Sequence, residues 1–241
     1  MAGAAPPGHA GSLVGCDGGR GARESDAPCG TGVALTFDDG PSASCTPRVL
    51  DVLRQHGVRA TFFLLGEHVA RLGPVVERTV AEGHAVGLHG YTHPALRLAW
   101  DVWALREELE RAREALWRAA RVETRLYRAP HGRAAPWVRR WLGRSGWTLV
   151  GWDVSARDWR PAPPQVLATR VLRRLRPGAV VLLHDGAPHS LYPDREHTVR
   201  ALPMLLAGGV ARGLTFVPLA PARGTLPAGG YRDVRLGHPS C

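Results

Sequence analysis

The segment Val33–Gly40, VALTFDDG, constrains this chain more than any other. A short run of mostly apolar, β-favouring residues leads into two adjacent carboxylates and then a Gly-Pro turn at Gly40 and Pro41. Such a run reads as a buried strand that delivers Asp38 and Asp39 to its C-terminal end. Neighbours on a strand point to opposite sides, so the two carboxylates are expected to do different jobs. Two like charges this close are costly unless a cation or a proton separates their roles. A bare DDG is accounted for equally well by a solvated Asx-type turn. The His, Asp and Arg residues at later strand ends weigh against that reading.

Further along, apolar runs alternate with amphipathic segments about seven times. Strands are expected at Ala60–Leu65, His84–Leu88, Leu126–Arg128, Trp147–Trp152, Ala179–Leu183 and Thr215–Leu219. Helices are expected from Thr46 to Gly57, with Thr46 as N-cap and Pro47 in the first turn, and over Pro74–Glu82 and Asp101–Ala120. Others follow at Pro136–Arg144, Pro164–Leu175 and Glu196–Val210, the last with Pro203 inside it. The helix over Asp101–Ala120 shows an apolar face of Val102, Leu105, Leu109, Ala112 and Leu116. This alternation implies parallel strands in a barrel or doubly wound sheet, whose active site lies at the C-terminal strand ends. Asp38, Asp39, His89, Arg128, Asp153 and His184 all sit at such ends.

The 241 residues suffice for one sizeable core. All 31 basic residues are Arg, and the net charge is +10. A basic surface favours acidic polymers such as cell walls or nucleic acid. No dense basic run with interleaved aromatics occurs, so nucleic acid is not the expected partner. The four cysteines, Cys16, Cys29, Cys45 and Cys241, contain no CxxC pair, which argues against a structural zinc site and leaves disulfides open. Residues 1–30 are Gly, Ala, Pro and polar, and are expected to form a disordered leader without an export signal or membrane span. As written, that composition is expected of a cytoplasmic protein; a start site upstream would make it secreted or cell-wall-associated. Residues 220–241 read as a loose tail.

His89 and His93 are spaced i, i+4 in one tight turn and can share a metal. A carboxylate from another strand end would complete the set, and Asp39 or Asp38 can supply it. Two His and one carboxylate with an open position suit a catalytic metal that binds water. His184, at the end of the most apolar strand, suits proton transfer near neutral pH. Arg128 suits a bidentate clamp on a carboxylate. The pairs Trp152-Asp153 and Asp158-Trp159 could form a pocket wall and a His partner.

Taken in order, TFDDG, HGYTH, RAPHG, WDVSARDW and LLHDG resemble the five motifs of polysaccharide deacetylases, the NodB-homology domain of carbohydrate esterase family four. The resemblance covers residues 31–219. It implies an α/β fold: a distorted (β/α) barrel of about seven parallel strands. It implies a hydrolase that removes acetyl groups from N-acetylhexosamine units of a chitin-like or peptidoglycan-like glycan, acting as a monomer through one divalent ion, zinc or a similar ion such as cobalt. By the same resemblance Asp39, His89 and His93 hold the metal, Asp38 is the base, Arg128 orients it, and the His131 N–H helps bind the oxyanion. Asp158 holds His184, the acid, and Trp159 and Leu182 wall the acetyl pocket. The sequence departs from the pattern twice. Gly90 stands where the family has a loop-bracing Ser or Thr, which bears on the rigidity of the loop rather than on ligation. His131 stands where an aromatic is usual, which leaves a backbone donor intact. O-deacetylation of acetylated xylan and a non-catalytic carbohydrate-binding barrel are the competing functions.

Overall fold

The computed structural model describes residues 13–14 and 32–220. Its strands are β1 (Leu13–Val14), β2 (Gly32–Gly40), β3 (Thr61–Leu64), β4 (Ala85–Leu88), β5 (Leu126–Tyr127), β6 (Thr148–Val150), β7 (Val154–Ser155), β8 (Val180–His184) and β9 (Thr215–Phe216). They form one sheet in the order β1-β6-β5-β4-β3-β2-β8-β7, with β9 also paired to β2, and each of these pairings is parallel.

The connection between β6 and β7 shows why this sheet is a barrel. The two strands are six places apart in the sheet, which would be about 29 Å if the sheet were flat. Yet only Gly151, Trp152 and Asp153 join them, and four Cα steps span at most about 15 Å. The sheet must therefore curl until β6 and β7 face each other across a seam. The seven strands from β6 round to β7 are the expected distorted (β/α) barrel.

Alternation along each strand sorts side chains into two layers. Val33, Leu35 and Phe37 of β2 and Val181 and Leu183 of β8 join the large core between sheet and helices. Their neighbours Ala34, Thr36 and Asp38 pair in register with Val180, Leu182 and His184 on the opposite, inward face. Phe63, Leu126 and Val150 form a small second cluster, with Leu219 packed against it.

The helices are α1 (Thr46–Gln55), α2 (Gly66–Arg71), α3 (Gly73–Ala81), α4 (Ala95–Trp100), α5 (Val102–Ala120), α6 (Pro136–Arg144), α7 (Pro164–Leu172) and α8 (Glu196–Val210). Asp101 caps α5, its carboxylate accepting the N–H groups of Trp103 and Ala104. α6 and α8 keep the bounds expected from sequence, and α8 runs through Pro203. The six-residue α2 and α4 and the two-residue β7 are too short to leave a period in the sequence. Thr46 is not the N-cap of α1; Cys45 is, without a side-chain cap. The Thr46 hydroxyl is spent on Asp185, and Ser42 Oγ accepts the N–H groups of Cys45 and Thr46 instead.

The leader, apart from the backbone of Leu13–Val14, lies outside the described residues, as do Cys16, Cys29, Cys241 and all of the tail beyond Ala220. Cys45 is a buried free thiol. No described helix is long and apolar enough to cross a membrane.

Candidate active site

The end of β2 does not continue as a plain strand. Its register with β3 shifts between Asp38 and Gly40, and Asp39 adopts φ 70°. This bulge changes the expected geometry. Strand alternation would send Asp38 and Asp39 to opposite faces, but the left-handed turn brings both to one mouth. Asp39 Oδ1 and Asp38 Oδ2 lie 3.5 and 3.9 Å from the same atom, His89 Nε2. The bulge needs room on its backbone side, and Gly186 gives it: a Cβ there would sit 1.9 Å from the Asp39 carbonyl oxygen. His68 Nδ1 donates to that same carbonyl at 3.2 Å.

Around Asp39 a three-residue cluster closes. His93 Nε2 lies 3.6 Å from Asp39 Oδ1, and ligand atoms of Asp39, His89 and His93 all fall within 4.8 Å of one another. These separations are long for hydrogen bonds and suit donors facing a shared cation. Asp39 Oδ1 is buried and has no hydrogen-bond partner among the described residues. His89 Nδ1 donates to the Arg128 carbonyl at 2.8 Å, which leaves the Nε2 lone pair turned toward the cluster. Burial, reinforced by His89, pushes the His93 pKa down to about 4, so its imidazole is neutral, as a ligand must be. The donor set fits one divalent ion.

Arg128 is fully buried and ties three strands together. Nη1 donates to Asp38 Oδ1 at 2.8 Å and to Thr36 Oγ1 at 2.7 Å. Nη2 and Nε donate to the carbonyls of Gly151 and Val150, at 2.8 and 3.4 Å, at the end of the neighbouring strand β6. Its guanidinium lies 4.2 Å over the Phe63 ring. One Asp38 oxygen is thus held by Arg128 while the other faces the cluster.

On the neighbouring strand, His184 pairs in register with Asp38. Its Nδ1 donates to Asp158 Oδ1 at 2.8 Å, and its backbone N–H donates to Asp158 Oδ2 at 2.8 Å. Burial alone would lower the His184 pKa, but the Asp158 charge and hydrogen bond outweigh it and raise the value to about 9. Asp158 is itself buried, which disfavours its charge, yet His184 holds its pKa below the usual value. Trp159 meets the His184 ring edge-on, with centroids 5.9 Å apart, and Leu182 lies on the same inward face as His184. His131 stands at the tip of the turn Pro130–Gly132 with φ 53°, its ring 5.1 Å from that of His93.

Asp153, expected at a strand end of the site, is elsewhere. β6 stops at Val150, and Asp153 turns outward to accept from Arg176 and from the Val180 N–H. Its neighbour Trp152 packs against Gly132, and its ring centroid lies 5.8 Å from the Arg128 guanidinium.

Two further residues hold the site. Thr198 donates to Asp158 Oδ2 at 2.9 Å from α8. Glu108, on α5, accepts the N–H groups of Tyr91 and Thr92 and the Thr92 hydroxyl. A sequence signal for Glu108 exists: it lies between Leu105 and Leu109 on the apolar face of α5, where an acid has no reason to be without a partner.

A family model for polysaccharide deacetylase matches residues 26–150. A chitooligosaccharide deacetylase of Bradyrhizobium sp. (strain ANU 289) is 41% identical over 194 residues, 78% of this chain and 88% of that one. A peptidoglycan-N-acetylglucosamine deacetylase of Bacillus cereus is 35% identical over 188 residues, 78% of this chain and 66% of that one. The crystal structure of the Bc1960 peptidoglycan N-acetylglucosamine deacetylase superposes with a TM-score of 0.74 at 33% identity, covering 80% of this chain and 91% of that one.

Proposed function

This chain belongs to the polysaccharide deacetylase family, and from that premise we propose that it hydrolyses the acetamide of N-acetylhexosamine units in a chitin-like or peptidoglycan-like glycan. The observation that carries the reading is the pairing of Asp38 with His184 on adjacent strands, each fixed by a partner of opposite charge. One acid–base pair thus flanks the Asp39, His89 and His93 cluster.

Amide hydrolysis needs an activated water, charge stabilisation on the tetrahedral oxygen, and a proton for the leaving amine. Asp39, His89 and His93 would hold the divalent ion, which when bound supplies Lewis acidity and eases deprotonation of water. Asp38 takes the proton of the water through the oxygen that Arg128 leaves free. Arg128 fixes the angle of that carboxylate. His184 holds the proton that the amine needs on Nε2, because Nδ1–H is committed to Asp158. The His131 N–H donates to the developing oxyanion. Trp159 and Leu182 form the apolar wall against the acetyl methyl group. The residue types and the family fit zinc, with cobalt as a substitute.

Acetate release from N-acetylchitooligosaccharides, peptidoglycan and acetylated xylan, each with and without chelator, tests the reading. Release from an N-acetylated substrate that stops on chelation and returns with zinc is the expected result. Release from acetylxylan alone would replace the proposal with O-deacetylation, and binding without release would replace it with a carbohydrate-binding role.

A further inference from the structure

We propose that Glu108 is a positioning residue that sets the metal-binding loop His89–His93 from a distance. The inference rests on the reading of Asp39, His89 and His93 as ligands.

The loop turns left-handed twice, at Gly90 with φ 96°, which a glycine adopts freely, and at His93 with φ 65°, where the backbone is strained. A left-handed non-glycine residue persists only where its surroundings over-determine it. Here they do. Glu108 Oε2 accepts the Tyr91 N–H at 2.6 Å and the Thr92 N–H at 2.8 Å, and Oε1 accepts the Thr92 hydroxyl at 2.9 Å. The opposite side of the loop is held by α2: the N–H groups of Gly66 and Glu67 donate to the carbonyls of Gly90 and Tyr91 at 3.0 and 3.1 Å. The loop is clamped from both sides, and Glu108 supplies one whole side of the clamp.

A brace at position 90 itself would meet resistance. A Cβ there would come within 3.2 Å of Leu98 Cδ1 and 3.4 Å of Glu108 Oε2, on a backbone that L side chains rarely adopt. The loop is therefore braced from α5 and not from within. The placement of Glu108 supports this. It is buried on an apolar helix face. Its nearest cation is Arg111, whose Nη1 is 4.0 Å away and whose side chain is half exposed. A carboxylate removed from water for structure alone would be poorly chosen there.

Zinc titration of the metal-free full chain by calorimetry, with cobalt absorption as a spectroscopic check, tests the inference on Glu108→Asp, Glu108→Ala and Glu108→Gln. Glu108→Gln keeps an acceptor for both N–H groups and is expected to bind zinc within about threefold of the parent. Glu108→Asp is one methylene too short and is expected to bind roughly 10- to 100-fold more weakly, as is Glu108→Ala, with an altered cobalt spectrum. If Glu108→Ala does not fold, Glu108→Asp carries the test alone. A purely structural role would lower the melting temperature of the metal-free protein and leave zinc affinity unchanged. Parent-like affinity and cobalt spectrum in Glu108→Asp would overturn the inference while leaving the ligand assignment standing. A parent that binds no divalent ion would overturn both.

Discussion

Asp158 holds His184 at two points, accepting the ring Nδ1–H on one oxygen and the backbone N–H on the other, both at 2.8 Å. The same carboxylate accepts from Thr198, and its backbone carbonyl accepts from His197 Nε2 at 2.7 Å. The imidazole is thus fixed in one tautomer and its positive form is stabilised. With its pKa raised to about 9, His184 stays protonated at neutral pH and is available as an acid.

The first prediction follows from that charge. Activity is expected to fall on the basic side as the pH rises through about 9, where His184 loses its proton. Asp158→Asn removes the anion, so the basic limb is expected to move to lower pH. A pH–rate profile of parent and variant reads this directly, and an unchanged limb would show that Asp158 does not tune His184. The pair also acts on stability. The raised His184 pKa gives a contribution that is complete below 6.5 and lost as pH rises toward 9. The lowered Asp158 pKa gives one that is present above 3.8 and lost as pH falls further. Both describe one ion pair, so the melting temperature of the parent is expected to gain over Asp158→Asn chiefly between about pH 4 and 7.

The second prediction separates the base from the ligands. Asp38→Asn keeps the shape of the side chain and leaves Asp39, His89 and His93 untouched. Turnover is expected to fall about 10²- to 10⁴-fold while the protein still takes up one equivalent of metal. Acetate release measured beside metal content by mass spectrometry checks both halves. Loss of metal in step with activity would make Asp38 a ligand and not the base.

The helices α6 and α8 and the edges of β2, β4 and β8 lie close to where apolar period, Pro and Gly place them, because each buries one clear face. The ordered strand-end residues made the cluster legible too. Strand geometry, however, predicts the wrong reason for the division of labour between Asp38 and Asp39. The bulge depends on Gly186, 147 positions away, and no local pattern announces it. Asp153 misled for a related reason. Trp147–Trp152 reads as one strand, but the chain stops pairing at Val150 and crosses the seam, which rotates Asp153 out to Arg176. The partners of Glu108 and Thr198, loop backbone and a carboxylate from distant elements, are not local in sequence, and only Glu108 leaves a signal, as an acid on the apolar face of α5.

The third prediction concerns the buried Arg128. Arg128 donates to β2 and to the end of β6 from a fully buried position. Arg128→Met fills similar space but leaves Asp38 buried without its cation and two carbonyls without donors. The expected cost is about 3–5 kcal/mol, or roughly 6–20 °C in melting temperature for a chain of this size. Arg128→Lys keeps the charge without the fork and is expected to fall between the two. A melting temperature for Arg128→Met within a degree or two of the parent would show that the fold does not depend on this residue.

The last prediction uses two glycines to separate backbone strain from close approach. Gly57 closes α1 at φ 64° with nothing within 4 Å of a would-be Cβ. Gly57→Ala is therefore expected to cost only the left-handed penalty, about 1–2 kcal/mol, with metal binding and turnover unchanged. Gly186 is not in the left-handed region, so backbone strain is not its reason for being glycine. Its missing Cβ makes room for the Asp39 carbonyl and the Gly40 nitrogen, which would lie 1.9 and 2.6 Å from it. These are backbone atoms of the bulge that aims Asp39 at His89 and His93, and they cannot yield as a flexible side chain would. Gly186→Ala is thus expected to push Asp39 out of the cluster, and the protein that remains folded should bind zinc at least tenfold more weakly. Melting temperature and zinc titration on both variants decide the matter. Equal zinc affinity in Gly186→Ala and the parent would mean that the bulge at Asp39 tolerates displacement, and that the position of its carboxylate is set by the two histidines rather than by the strand beneath it.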